Sequence, residues 1–518
     1  MISCNSDEIY LSEKKVFRYN EISGLQSFDP LYSKNQSHNW FCNHIYSTLV
    51  KLDSNLNIIP SISHKWKIKD NGFIYQFKIR DKIYFHESDK FNSIFKNREL
   101  TSNDVKYSLD RIKDISNGSP GYWIMENVNE IKIIDSKTLE IILNKRNPYF
   151  LELLSMKYCS IIPKESEFIE DFFQYPVGTG PFKFKYHKLN TKLILTKNNY
   201  YYEYDSFNNR LPYIDAISIS FIPDKQTSFL EFIKGNLEFI SDIENSYKNE
   251  ILNKNGYLKE KFNQKFNFNK SIFFNTEYLG ILVDHNQINS NLLIKDFRMA
   301  LNNSIDKDKI IKYLRNNIGN PGIGGFIPKG MNGHIEKLKI GNYNLKKSKK
   351  IIDNFKKKYT LNNLDIYTTP AYVDISEFIQ NSWQNLGIDV NLIVSPPSTH
   401  REIISSSKAS IFRASWIADY SDAENFLSLF YSKNYSPYGP NYTHFSNKLY
   451  DNLYDKLYFT NDKSTRMKLY NQMDSIIVNN FVVIPLYYDQ IIRLTQKNVE
   501  NLNLNKMNIL NLETVKLN

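Results

Sequence analysis

Apolar and polar residues alternate in two short runs early in the chain. Trp66-Lys67-Ile68-Lys69 and Phe73-Ile74-Tyr75-Gln76-Phe77-Lys78-Ile79-Arg80 flank the triplet Asp70-Asn71-Gly72. A period of two on either side of turn-forming residues predicts a β-hairpin. Thr101-Ser102-Asn103-Asp104-Val105 then sets capping side chains ahead of Tyr107, Leu109 and Ile112, so a helix is expected to open there. Further strands are expected around 130–143 and 182–197, and helices over 295–315, 373–386 and 446–480. Strands and helices mixed along the whole chain indicate an α/β or α+β class. From Lys346 to Lys358 the lysines interleave with Leu345, Ile351, Ile352, Phe355 and Tyr359 at near-helical spacing. They therefore form the wet face of an amphipathic helix.

Composition narrows the function classes. A chain of 518 residues accommodates about three structural units at roughly 150 residues each. No run approaches the ~18 consecutive apolar residues of a membrane-spanning helix. The net charge of +11 permits an anionic partner, but its densest cluster is the solvated helix face just described, which argues against nucleic acid. The 36 Tyr and 34 Phe fit codon usage as readily as selection for chemistry. No internal repeat or long flexible linker marks a boundary.

Three cysteines, Cys4, Cys42 and Cys159, are too few for a disulfide scaffold and lack the CxxC pairing of structural zinc. Cys4 follows Met1-Ile2-Ser3 and precedes the polar Asn5-Ser6-Asp7-Glu8. That order resembles the end of a bacterial lipoprotein signal, without its basic and longer apolar parts. Whether Cys42 and Cys159 pair is open at this stage.

Catalytic signatures are missing. There is no Gly-x-Ser-x-Gly elbow. Gly322, Gly324 and Gly325 form neither a dinucleotide nor a phosphate-loop pattern and read as a loop. The nine histidines include no HExxH and no i, i+4 pair, and His86-Glu87 is a bare dipeptide expected at the surface. Acidic residues are numerous, yet no spacing singles out a catalytic pair.

Ordered segments across nearly the whole chain carry a resemblance. They include Phe28-Asp29-Pro30, Ile45-Tyr46-Ser47-Thr48-Leu49-Val50, Leu100-Thr101-Ser102-Asn103-Asp104-Val105, Gly178-Thr179-Gly180-Pro181-Phe182, Phe297-Arg298-Met299-Ala300-Leu301-Asn302 and Trp416-Ile417-Ala418-Asp419-Tyr420. The chain thus resembles the bacterial extracellular solute-binding proteins of family 5, the oligopeptide, dipeptide and nickel class, and among them the oligopeptide receptors.

The resemblance implies a two-lobed periplasmic-binding-protein (Venus-flytrap) fold with an extra inserted domain. Residues 1–42, 176–268 and 483–518 would form a discontinuous first domain, 43–175 a second and 269–482 a third. It implies a non-enzymatic receptor without cofactor or metal, closing its lobes on an oligopeptide and delivering it to ABC transporter permease subunits. The site residues it implies are Asp419 for the peptide's amino terminus, with Trp416, Ala418, Tyr420 and the more distant Tyr438 around the ligand. Cys4 would be the lipid-bearing residue that holds a monomeric protein at the cell envelope. A nickel complex, haem or a sugar derivative on the same scaffold, and a secreted hydrolase, are the competing readings. Most other blocks have a structural explanation: Gly178-Thr179-Gly180-Pro181 as a rigid turn, Arg298 with Asp306 as an ion pair. For Asp419 the competing role is capping a helix over Ser421 to Leu429. The stretch Glu87 to Glu99 is longer and more polar than the family's usual turn and reads as a surface elaboration or partner contact.

Overall fold

The computed structural model describes residues 14–241, 243, 245–284, 289–336 and 342–518, so Cys4 lies outside the described residues. Two compact units divide the chain: Met1–Ile251, Leu258–Ser271 and Ile491–Asn518 form one, Leu252–Tyr257 and Ile272–Gln490 the other. The long strands Phe266–Ile281 and Val483–Gln496 carry the chain between them.

In the first unit, Val16–Glu21 runs parallel to Ala216–Phe221. Lys192–Lys197 and Phe182–Lys188 then extend the sheet in antiparallel fashion. A second sheet, wholly antiparallel, has the order Ser63–Lys69, Ile74–Ile79, Thr138–Leu143, Val128–Asp135. Its first two strands are the expected hairpin, with Trp66 opposite Phe77. Asp70, Asn71 and Gly72 all take positive φ, which these residue types tolerate best. Helix Ser102–Lys113 opens on a capping box, with the Thr101 N–H donating to Asp104 Oδ2 at 2.8 Å.

The glycines of Gly178-Thr179-Gly180 serve close backbone approach. A Cβ on Gly178 would stand 2.2 Å from the Ile45 carbonyl oxygen, and Gly180 N–H donates to that oxygen at 2.8 Å. His86 belongs to the same turn and not to the surface. It is 2% exposed, its Nδ1 accepts from Gly178 N–H at 3.3 Å and its Nε2 reaches the Gly180 carbonyl at 2.9 Å. Burial lowers its pKa to about 4, so the ring is a neutral brace. The elaboration between 87 and 99 is likewise anchored: Phe91 and Phe95 pack against Phe172, and Arg98 pairs with Glu165 at 2.7 Å. Cys42 and Cys159 are buried free thiols, and burial pushes Cys42 up to about 12.

In the second unit, the 275–281 part of the long strand pairs antiparallel with Ile411–Ile417. Leu364–Thr368 and Val390–Val394 continue the sheet in parallel. Helices Lys295–Asn303, Leu345–Lys356 and Val373–Gln384 bury Phe297, Leu301, Ile352, Phe355, Ile379 and Trp383 in one core with Leu279, Ile366 and Ile411. The lysine-rich segment is therefore amphipathic as its spacing requires.

The expected ion pair at Arg298 changes. Arg298 does not pair with Asp306. Its Nε and Nη2 donate to the Asn480 carbonyl at 3.0 and 2.8 Å, at the C-terminus of helix Lys463–Asn480, where a cation meets the negative end of the helix dipole. Asp306 instead caps the next helical turn by accepting from Lys309 N–H at 3.1 Å. The Gly324-Gly325 segment is a loop, as expected, and it packs on the buried Asp474, whose carboxyl desolvation raises to about 7. This fully buried side chain accepts from Phe326 N–H at 2.6 Å and Ile327 N–H at 3.4 Å.

Candidate ligand-binding segment

Strand Ile411–Ile417 sets Trp416 opposite Thr276, and Ala418 N–H donates to the Phe274 carbonyl at 2.9 Å, prolonging the pairing by one residue. The chain then leaves the sheet and enters a short helix, Glu424–Leu427. Asp419 does not cap that helix. The helix N-cap is Ala423, which offers no capping side chain, and Asp422 just before it accepts from Glu424 N–H through Oδ1 at 2.8 Å. Asp419 is thus left without a structural duty at the helix end.

Asp419 and Ile417 are exposed, Trp416 is half-buried, and Ala418 and Tyr420 are buried at 6% and 3%. Although Asp419 is exposed as a whole residue, neighbouring groups desolvate its carboxylate. Its pKa is raised because desolvation outweighs the hydrogen bond from Asn425. That contact is Asn425 Nδ2 to Asp419 Oδ2 at 3.4 Å. The same side chain's Oδ1 accepts from Trp416 Nε1 at 3.0 Å and from Asp419 N–H at 3.3 Å. One amide thus ties the indole to the carboxylate.

Behind them the segment is anchored by two buried or half-buried acids. Tyr420 and Tyr454 both donate to the Glu424 carboxylate, which desolvation raises to about 7. Asp422 accepts from Arg466 Nη2 at 2.9 Å and Tyr470 OH at 2.7 Å. On the sheet itself, Ser415 donates to Asn275, Asn275 to Glu277, and Glu277 pairs with Arg413, whose guanidinium lies over the Tyr372 ring. Arg413 is compensated, whereas Asp419 has no ion-pair partner among the described residues.

The sequence-nominated residues therefore divide by position. Trp416 and Asp419 share one linkage, Ala418 holds its backbone in the strand pairing, and the Tyr420 ring is inside the unit. Tyr438 is 100% exposed on the 435–441 loop. Asn425, Glu424 and Asp422 were not found by sequence reasoning, since nothing but their nearness to Asp419 marks them. In the first unit a cavity of about 450 Å³ is lined by Leu25, Phe28, Phe173, Tyr175, Phe184 and Tyr186, none of them nominated from the sequence.

A partly open, poorly hydrated carboxylate beside an indole is suited to holding a cationic group rather than transforming one. The chain belongs to the bacterial extracellular solute-binding proteins of family 5, whose middle-region model matches residues 57–438. It is 22% identical to the dipeptide-binding protein of Escherichia coli (strain K12), over 94% of this chain and 92% of that protein. It is 24% identical to heme-binding protein A of Haemophilus influenzae, over 92% of this chain and 87% of that protein. Among solved structures it matches the ABC transporter-associated periplasmic binding protein DppA from Helicobacter pylori, in complex with peptide STSA. That match has a TM-score of 0.81 at 24% identity, covering 98% of this chain and 99% of the other. The fold is that of these periplasmic binding proteins.

Proposed function

We propose that this chain is an extracytoplasmic receptor that captures oligopeptides and delivers them to an ABC-type permease, performing no chemistry on them. The observation that carries the reading is Asp419. Its carboxylate accepts one long hydrogen bond, from Asn425, among the described residues and does not cap the helix that follows. A carboxylate offers about four lone-pair sites, and a peptide's α-ammonium offers three N–H donors in return. Poor hydration strengthens such a charge-assisted contact. The half-buried Trp416 indole supplies an aromatic neighbour for the ligand. Main-chain hydrogen bonds would supply affinity without strict side-chain preference. The dipeptide-binding relative and the peptide-bound structural neighbour support this reading.

The same proposal includes a monomeric protein of the cell envelope, anchored through lipid on Cys4. Its three domains are residues 1–42 with 176–268 and 483–518, then 43–175, then 269–482. Native mass spectrometry of protein purified from its own host, without added ligand, tests the ligand class. Co-purifying masses that fragment as peptides are expected. Haem, a nickel complex or a sugar derivative as the bound species would overturn the proposal.

A further inference from the structure

Three residues of one short segment face three different ways. Asp422 turns to Arg466 and Tyr470, Glu424 to Tyr420 and Tyr454, and Asn425 to Trp416 and Asp419. The first two are anchors into helices Lys448–Leu457 and Lys463–Asn480. The third is 4% exposed, and its amide bonds Trp416 Nε1, the Asp419 N–H and the Asp419 carboxylate, with Tyr420 also within its hydrogen-bonding reach. We infer that Asn425 is a positioning residue for the ligand amine: its Oδ1 fixes the Trp416 indole and the Asp419 backbone while its Nδ2 orients the Asp419 carboxylate. This rests on the reading of Asp419 given above.

The chemistry requires an amide. An acceptor must face Trp416 Nε1 and a donor must face Asp419 Oδ2, a pairing that a carboxylate or an apolar isostere cannot supply. A carboxylate at 425 would add a second negative charge beside Asp419 and raise its pKa. The other acids of the segment do not supply that effect, because Asp422 is held by Arg466 and Glu424 by two tyrosines.

The test uses two probes, a tetrapeptide library with free amino termini and the same library N-acetylated, titrated into the full chain by calorimetry. The proteins are wild type, Asn425→Leu, Asn425→Asp, Asp419→Asn and the double variant Asp419→Asn/Asn425→Leu. Asn425→Leu is expected to lose about tenfold affinity for free peptides and little for acetylated ones, the size of one charge-assisted hydrogen bond. The double variant is expected to bind no worse than Asp419→Asn, because the amide acts through the carboxylate. Asn425→Asp is expected to move the acid limit of free-peptide binding to higher pH, a shift that a purely structural role would not produce. If Asp419→Asn loses its preference for free amines while both Asn425 variants keep wild-type preference and pH limit, the positioning role is wrong and the amine reading stands. If Asp419→Asn retains the wild-type preference, both fall. Equal losses for the two libraries in Asn425→Leu, at unchanged thermal stability, also overturn the positioning role. Should Asn425→Leu not fold, the pH limit of the near-isosteric Asn425→Asp decides.

Discussion

A Cβ on Gly325 would stand 1.7 Å from Asp474 Oδ2, so a hydrogen is the largest side chain that position admits. Gly325→Ala is expected to destabilise the protein by about 3 kcal/mol in denaturant titration, the cost of forcing a packed loop off a buried carboxylate. A loss below about 0.5 kcal/mol would show that the loop yields freely. Glu424 supplies a pH signature. Burial raises its carboxyl to about 7 from the ordinary 4.5, so the folded protein keeps a proton there that the unfolded chain has released. The resulting stabilisation is full at pH values below the unfolded pKa and is lost as pH rises toward 7. Relative to Glu424→Gln, the wild type should lose about 1–3 kcal/mol between pH 4.5 and 7.5, and parallel stability profiles would contradict the assignment. None of this is legible in the sequence. Gly325 reads as a loop glycine because its partner lies far along the chain, and Glu424 as one acid among many because its burial is a tertiary fact.

Elements written in local chemistry were legible. The hairpin at Ser63–Ile79 needs only alternation and an Asp-Asn-Gly turn, and the helix at Ser102 only its cap. The helix over Ser421 to Leu429 supposed by the competing reading of Asp419 is shorter, Glu424–Leu427 with a 3₁₀ turn at Ser428–Phe430, and the Asp422 side chain takes the Glu424 N–H ahead of it. Side chains that bond out of the segment compete with helix formation, and no periodicity reveals that. The cap at Ser102 carries its own prediction. Asp104 is fully buried and accepts from Thr101 N–H, Arg98 and the Lys164 backbone. Asp104→Ala leaves these donors unmatched and should lower unfolding free energy by about 3 kcal/mol, read by calorimetric melting. A change under about 1 kcal/mol would mean that Glu165 alone satisfies Arg98.

At the scale of the whole chain, the α/β class and the family were readable because ordered blocks such as Gly178-Thr179-Gly180-Pro181-Phe182 are needed for close backbone approach and survive as patterns. Asp419 was readable only through that resemblance, while its freedom from capping and its link to Trp416 through Asn425 required coordinates. The central claim, that this carboxylate reads a peptide's amino terminus, is tested most directly by calorimetry on wild type and Asp419→Ala, each with a free and an N-acetylated peptide. The predicted result is a loss of about 2–5 kcal/mol for the free peptide in the variant, with the acetylated peptide bound poorly and almost equally by both proteins. Equal losses for the two peptides would show that Asp419 shapes the site without reading the amine, and would contradict the claim.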